Sequence, residues 1–238
     1  MKLRLLFLLL VCFGTANAQK EVGGFFHVTA GASLPSGDFQ STDADDPASG
    51  YASAGLTVNA LFGHKIYKQF GAYAMLSFTA HGTDFTAIED GLNQQASDYT
   101  WKAQQGFWTV TGFTFGPQFS QNFNKMAMDF RLAGGVLNFI SPNLELNGVS
   151  KSGGASAKYT MKDKRASSAL VGGGITLKYE FKWSWVLLAN ADLFYARPVF
   201  SEVEEVTEIV GQDPIITYTT FQQEFRMTQF GLGIGYVF

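Results

Sequence analysis

Apolar and polar residues alternate with a period of two through most of the chain, and eight stretches carry the alternation clearly. The first runs from Gly24 to about Leu34, with Phe26, Val28, Ala30 and Ala32 on one face and His27, Thr29, Gly31 and Ser33 on the other. The second, Tyr51 to Phe62, sets Ala54, Leu56, Val58, Ala60 and Phe62 against Gly55, Thr57 and Asn59. The third, Phe70 to His81, sets Ala72, Ala74, Leu76 and Phe78 against Tyr73, Ser77 and Thr79. In the fourth, Gly106 to Ser120, the residues Phe113, Phe115 and Phe119 mark one face while Trp108 and Val110 fall in the other phase, so a bulge near Gly112 is expected. The fifth, Met126 to Asn138, opposes Met128, Phe130, Leu132 and Val136 to Asp129, Arg131, Ala133 and Gly135. The sixth, Ala169 to Phe181, opposes Ile175, Leu177, Tyr179 and Phe181 to Gly172, Gly174, Thr176, Lys178 and Glu180. The seventh, Trp185 to Arg197, opposes Leu187, Ala189, Ala191, Leu193 and Tyr195 to Asn190 and Asp192. The eighth is the terminal "QFGLGIGYVF", where Phe230, Leu232, Ile234, Tyr236 and Phe238 alternate with Gly231, Gly233 and Gly235. A tilted strand crosses a bilayer in about 9–11 residues, which these stretches match.

The connections sort by length. Those after the second, fourth and sixth stretches are short ("GHKIYKQ", "QNFNK", "KWS"), whereas those after the first, third, fifth and seventh are long and polar. Strict alternation of short and long predicts an all-β fold: an eight-stranded antiparallel transmembrane up-and-down β-barrel with short periplasmic turns and four long extracellular loops. Helical spacing is hard to find, and after the leader no stretch holds 18 consecutive apolar residues, so no spanning helix is expected. Aromatic residues gather at the strand ends. Phe62, Tyr67, Phe70, Phe119, Tyr179, Trp183, Trp185, Tyr236 and Phe238 belong to the short-turn side, and Tyr51, Phe78, Phe107, Trp108 and Tyr195 to the long-loop side, as two interfacial girdles would require. A soluble lipocalin-like barrel would have the opposite polarity, with large apolar residues inside. Here the charges share faces with glycine and threonine, so that face is the inner one.

Composition narrows the picture further. The N-terminus places Lys2 and Arg4 before an apolar run from Leu5 to about Phe13 and a small-x-small site at Ala16, Asn17 and Ala18. This predicts a cleavable signal peptide over 1–18 and a barrel domain over 19–238. The only cysteine, Cys12, lies in that leader, so the mature chain has neither disulfides nor cysteine metal sites. The 238 residues contain 17 basic and 20 acidic side chains, and losing Lys2 and Arg4 leaves 15 against 20, an acidic balance that disfavours nucleic acid. Aromatic residues make up 15%, with 23 Phe and 26 Gly against only 6 Pro, a mixture that suits strands.

Candidate sites follow from the inner face and the loops. Asp129, Arg131, Lys178, Glu180, Asn190 and Asp192 fall on three neighbouring strands and are expected to form a lumen charge network, because buried charges need partners. An eight-stranded barrel leaves room for side chains only, so a plug is favoured over a gate. The loops carry uneven charge. The first holds Asp38, Asp43, Asp45 and Asp46, the second Asp84, Glu89, Asp90 and Asp98, and the fourth Glu202, Glu204, Glu205 and Glu208. The third is basic, with Lys151, Lys158, Lys162, Lys164 and Arg165. That loop is either a contact for acidic lipopolysaccharide or a partner, or simply the electrostatic counterpart of the acidic loops. "STDADDPASG" lacks the spacing of a calcium loop, and no metal or cofactor is expected. The terminal glycines are no dinucleotide fingerprint, since no helix can follow them.

With its Ala16-Asn17-Ala18 site, its opening strand "GGFFHVTAGASLPSGDF" and its final Phe230, Leu232, Ile234, Tyr236 and Phe238, the sequence resembles the small eight-stranded outer-membrane barrels of the OmpA/OmpX-like superfamily. Within them it looks most like the porin-family or PorT-like members of Bacteroidota. The resemblance implies a monomer in the bacterial outer membrane, surrounded by lipid and lipopolysaccharide, without the periplasmic domain of larger relatives. It also makes the five terminal apolar residues an assembly signal read by the barrel-assembly machinery. The resemblance identifies architecture rather than activity; a plugged barrel displaying its loops makes envelope integrity or surface interaction the leading role, with a narrow pore or small-molecule transport as an alternative and, on the PorT-like resemblance alone, assistance to protein secretion as a third. His81 and Thr83, with Asp84 adjacent, resemble the His and hydroxyl pair of lipid A deacylase barrels, but the family nucleophile is Ser, and no enzyme is expected.

Overall fold

The computed structural model describes residues 23–46, 48–95, 98–104, 106–153 and 156–238. The signal peptide expected over 1–18 lies outside the described residues.

All eight expected strands form. They are β1 (Gly24–Ser36), β2 (Ala52–Tyr67), β3 (Phe70–Thr83), β5 (Phe107–Phe123), β6 (Met126–Ile140), β9 (Arg165–Lys182), β10 (Trp185–Ala196) and β13 (Phe225–Val237). Each pairs antiparallel with its neighbours, and β1 closes on β13 through a ladder running from Phe25↔Val237 to Ser36↔Arg226. The result is a closed barrel with no free edge.

Faces follow the alternation. Every barrel strand turns large apolar side chains outward; Leu56, Leu132 and Leu232 are 74%, 67% and 72% exposed. His27, Thr57, Asn59, Thr79, Asp129, Arg131, Thr176 and Asp192 are buried inside. A water-soluble monomer does not surround itself with such a belt, so the belt's solvent is lipid and the protein is a membrane barrel. No helix among the described residues is long and apolar enough to cross a membrane, and the strands do the crossing.

The glycines of β13 face the same crowded interior. A Cβ on Gly231 would strike Asn190 Oδ1, and one on Gly174 of β9 would strike the Asp192 carboxylate. Glycine at these places lets polar side chains of the next strand lie across the backbone.

The short turns are tighter than the sequence suggests. Strands extend through "GHKIYKQ" and "QNFNK" and leave two-residue turns; Trp183 and Ser184 both have positive φ (51° and 65°), as a twist-matched hairpin turn requires. The bulge expected near Gly112 is absent, since β5 pairs with β3 in one unbroken register from Phe70↔Phe119 to Gly82↔Phe107. Trp108 and Val110 simply point inward. Trp108, expected in the outer girdle, is only 4% exposed and belongs to the core.

The long loops depart most from expectation. Three of them fold into β4 (Tyr99–Gln104), β7 (Leu144–Ser150), β8 (Ala157–Met161), β11 (Val199–Ile209) and β12 (Ile215–Gln222). These five strands make a second sheet in the order β12-β11-β8-β7-β4. A helix, α1 (Phe85–Gln95), packs on β4. Its N-terminus is capped by Asp84, whose Oδ1 accepts from Ala87 N at 3.1 Å, and Glu89 Oε1 accepts from Ala103 N at 2.8 Å. Two acidic residues of the second loop are therefore structural. Gly91 weakens the helix's intrinsic propensity, and docking compensates for it.

Candidate functional site: the barrel lumen and the chamber beside the loop sheet

The lumen is filled from bottom to top by side chains on alternating inner positions. Near the short-turn end, Lys178 Nζ pairs with Asp129 Oδ2 at 2.6 Å and lies over the Phe25 ring, 4.7 Å from its centroid. One layer higher, Arg131 Nη2 pairs with Asp192 Oδ1 at 2.6 Å, Asn190 Nδ2 donates to Asp192 Oδ2 at 2.5 Å, and the guanidinium lies over Tyr73. Above these, Asn59 Nδ2 donates to Gln229 Oε1, Gln229 Nε2 donates to Thr79 Oγ1, and Thr79 meets Thr57 at 3.0 Å. A void of about 10 Å³ remains among His27, Thr29, Asn59, Arg131, Thr176 and Asn190. That is no larger than the roughly 10–15 Å³ needed by one water.

Five of the six residues expected in the network thus meet, four as two neighbouring ion pairs and Asn190 as a hydrogen-bond donor to one of them. Glu180 does not. It is exposed beyond Lys178, at the rim of a lower vestibule of about 440 Å³ that it shares with Lys65, Asn122 and Lys125. The alternation continues past the point where the barrel interior ends, which period alone does not reveal.

The upper lumen is closed by aromatic rings. A 3-10 turn, Gly37–Phe39, drops Phe39 into the mouth, and Gly37 makes the reversal with φ of 63°. Phe39 packs on Phe225 and stands edge-on to Trp108 and His81. Phe139 and Phe200 complete a cluster that is essentially fully buried. Trp108 Nε1 donates to Gly50 O at 3.0 Å, so its polar edge is satisfied. His81 lies 3.2 Å from Ser33 Oγ through Nε2 and 3.0 Å from Ser53 O through Nδ1. With both ring nitrogens engaged and Asp84 capping α1, the geometry assembles no nucleophile and base pair at His81 and Thr83.

The loop sheet stands over this floor, and the two border a half-open chamber of about 690 Å³. Leu144, Leu146, Tyr159, Met161, Thr207 and Phe221 line its roof, with Ile88 and Leu92 of α1 and Trp101 of β4 at the side and Trp108 in the floor. The register explains the lining: Leu146 and Thr207 both lie opposite Tyr159, and Leu144 and Glu205 both lie opposite Met161, so one sheet face supplies them all. Glu205 is the only charged residue among the described lining residues. Its Oε1 accepts from Thr219 Oγ1 at 2.6 Å. Burial, and then the neighbouring Glu205 carboxylate, push the Tyr159 phenol well above its ordinary range. The indole N–H of Trp101 and the Thr83 hydroxyl are buried with no hydrogen-bond partner.

Outside the chamber, loop charges pair. Lys158 meets Glu145 at 2.6 Å, Lys162 meets Glu204 at 2.7 Å, and Lys164 Nζ donates to the Glu202 carbonyl at 3.0 Å. The basic third loop is thus split over β8 and its flanks, and three of its cations bind within or beside the loop sheet; Lys151 and Arg165 remain exposed at other places. First-loop carboxylates turn inward on their own backbone, Asp43 Oδ1 to Asp45 N and Asp46 Oδ1 to Ala48 N. At the base of the fourth loop, Glu224 is clamped by Arg197 and Arg226 and accepts from the Tyr195 hydroxyl. The Arg197 hydrogen bond, foremost, holds the Glu224 carboxyl below its usual range. Neither the chamber nor this clamp was expected from sequence, although Trp101 and the alternation of "LELNGV" and "EVEEVT" carried a trace of the chamber wall.

The terminal apolar residues Phe230, Leu232, Ile234, Tyr236 and Phe238 form one outward stripe on β13, with Tyr236 against Trp185 and Phe238 against Phe62.

No family model matches the chain, and no curated protein does. Among solved structures it is similar to a major outer membrane protein from Thermus thermophilus, with a TM-score of 0.46 and 9% identity over 90% of this chain and 99% of that one. It is similar also to Ail, the attachment invasion locus protein of Yersinia pestis (0.41, 12%, 91% and 97%), and to Neisserial surface protein A (0.43, 9%, 90% and 96%). Likeness at this level carries no functional argument, and the barrel assignment rests on the closed ladder and the apolar belt.

Proposed function

We propose that the protein is a non-enzymatic barrel of the bacterial outer membrane whose lumen is plugged and whose work is done by the loop-built sheet at its long-loop end. The observation that carries this is the division of the interior. The chamber above and the vestibule below are separated by two stacked ion pairs, a hydrogen-bonded polar layer and an aromatic floor. A barrel of eight strands has an interior just wide enough for side chains to fill. Ions entering it would have to break a desolvated pair, which costs about 3–5 kcal/mol when one partner is lost. The outer membrane is proposed from the belt, the short and long connections and the leader pattern together. In that setting the sheet faces outward, and interaction at the cell surface is its role.

A narrow pore is the second reading. It is favoured by polar atoms around the central void that lack a protein partner, among them His27 Nε2, Asn59 Oδ1, Arg131 Nε and Asn190 Oδ1. Single-channel recording in planar bilayers decides, with folding verified by the heat-dependent gel shift. Silence from folded protein supports the plug; reproducible conductance steps that change in Asp192→Asn overturn it in favour of the pore.

A further inference from the structure

We infer that the chamber under the loop sheet is a binding site for an uncharged, mainly apolar small molecule that carries a hydroxyl group. The inference deepens the proposed function and rests on the closed floor that reading requires.

Size comes first. A volume of about 690 Å³ falls within the roughly 300–1,000 Å³ of sites that enclose drug-sized ligands. Such space is unusual in a protein that packs its lumen down to a void of about 10 Å³. Two elements with their own hydrogen-bond ladders meet here at a distance, and nothing in either fills the gap.

Chemistry narrows the ligand. Leu144, Leu146, Met161, Phe221 and the faces of Trp101 and Trp108 offer dispersion contacts to an apolar body. No Lys, Arg or His stands among the described lining residues, while Glu205 contributes a carboxylate. An anionic ligand such as a fatty-acid carboxylate would therefore be buried against a like charge with no cation to offset it. A hydroxyl hydrogen on the ligand can be received by Glu205, whose carboxylate lines the chamber and keeps acceptor capacity beyond the Thr219 bond. Few convergent polar groups on an apolar wall are what orient a ligand in such a pocket.

The test uses 2-naphthol as a neutral probe and 2-naphthoate as its anionic counterpart, titrated into the folded protein in lipid nanodiscs while the tryptophan indole N–H resonances are followed. The expected result is a saturable shift of the Trp101 resonance with 2-naphthol, with Trp183 at the far end of the barrel unmoved, and binding of 2-naphthoate weaker by about tenfold or more. Leu146→Trp, which fills the roof, abolishes the shift; Leu92→Trp fills the side and serves where the first variant does not fold. Glu205→Ala, read at Trp101, weakens binding of 2-naphthol by about tenfold, because the ligand hydroxyl loses its acceptor. Absence of saturation, equal movement of Trp101 and Trp183, or 2-naphthoate binding as tightly as 2-naphthol each overturns the inference. Conductance accompanied by a saturable Trp101 shift would overturn the plug and leave the site standing.

Discussion

The lumen and the chamber are both bounded by antiparallel strands, yet one is filled with side chains and the other is half-open space. In the lumen, eight strands close on themselves, inner faces converge, and even a Cβ on Gly231 or Gly174 has no place. In the chamber, five strands form a sheet that never closes, so its inner face meets the barrel rim at a distance set by the connections. Closure fixes a diameter and so dictates packing; an open sheet held over a rim does not. The lumen accordingly pairs Arg131 with Asp192 and Lys178 with Asp129 inside itself, whereas the chamber is lined mainly by apolar side chains, with Glu205 the only charge among the described lining residues.

The largest effect that sharpens this contrast is expected in the lumen. Arg131→Ala leaves Asp192 buried without its cation, and denaturant unfolding followed by the gel shift should show a loss of about 3–5 kcal/mol. In the loop sheet, Lys162→Ala removes an ion pair with Glu204 that is largely in water, and the same measurement should barely change. Equal losses from the two variants would break the comparison.

A smaller effect is expected at the chamber wall. Asp84→Ala removes the α1 cap and should destabilise that helix by about 1 kcal/mol, read as faster proteolysis between Phe85 and Gln95 with the barrel's gel shift unchanged. Loss of the gel shift itself would mean that the chamber and barrel are one cooperative unit.

The smallest effect is pH-dependent. Because the folded Glu224 carboxyl titrates below its ordinary value, its clamp on Arg197 and Arg226 contributes fully above pH of about 4.5, the ordinary glutamate range. That contribution is lost as pH falls through the lower, folded value. Hydrogen exchange in β11 and β12 should therefore rise on acidification below that range, and Glu224→Gln should flatten the response. An identical acid profile in the variant would assign the change to another group.

What the sequence by itself determined was the barrel. Period-two alternation, the short and long connections and the glycine face of "QFGLGIGYVF" fix eight strands, their register sense and which face meets lipid, because each strand's two environments are imposed by the bilayer and by a crowded lumen along its whole length. Asp129, Arg131, Lys178, Asn190 and Asp192 were legible for the same reason: charges on the inner face of adjacent strands must find one another. Glu180 escapes that logic because alternation does not say where the lumen stops. Trp108 passes for a girdle residue because an inward aromatic at the rim has the same period as an inward polar residue lower down. Tertiary structure decided the rest. The loop strands are short and polar on one side, and the helix at Phe85–Gln95 holds a glycine, so neither is stable by local preference and both exist through contacts between segments far apart in the chain. The chamber belongs to that second class. Its walls come from four separate connections and the barrel rim, and a cavity is defined by what meets across it, which no stretch of sequence carries alone.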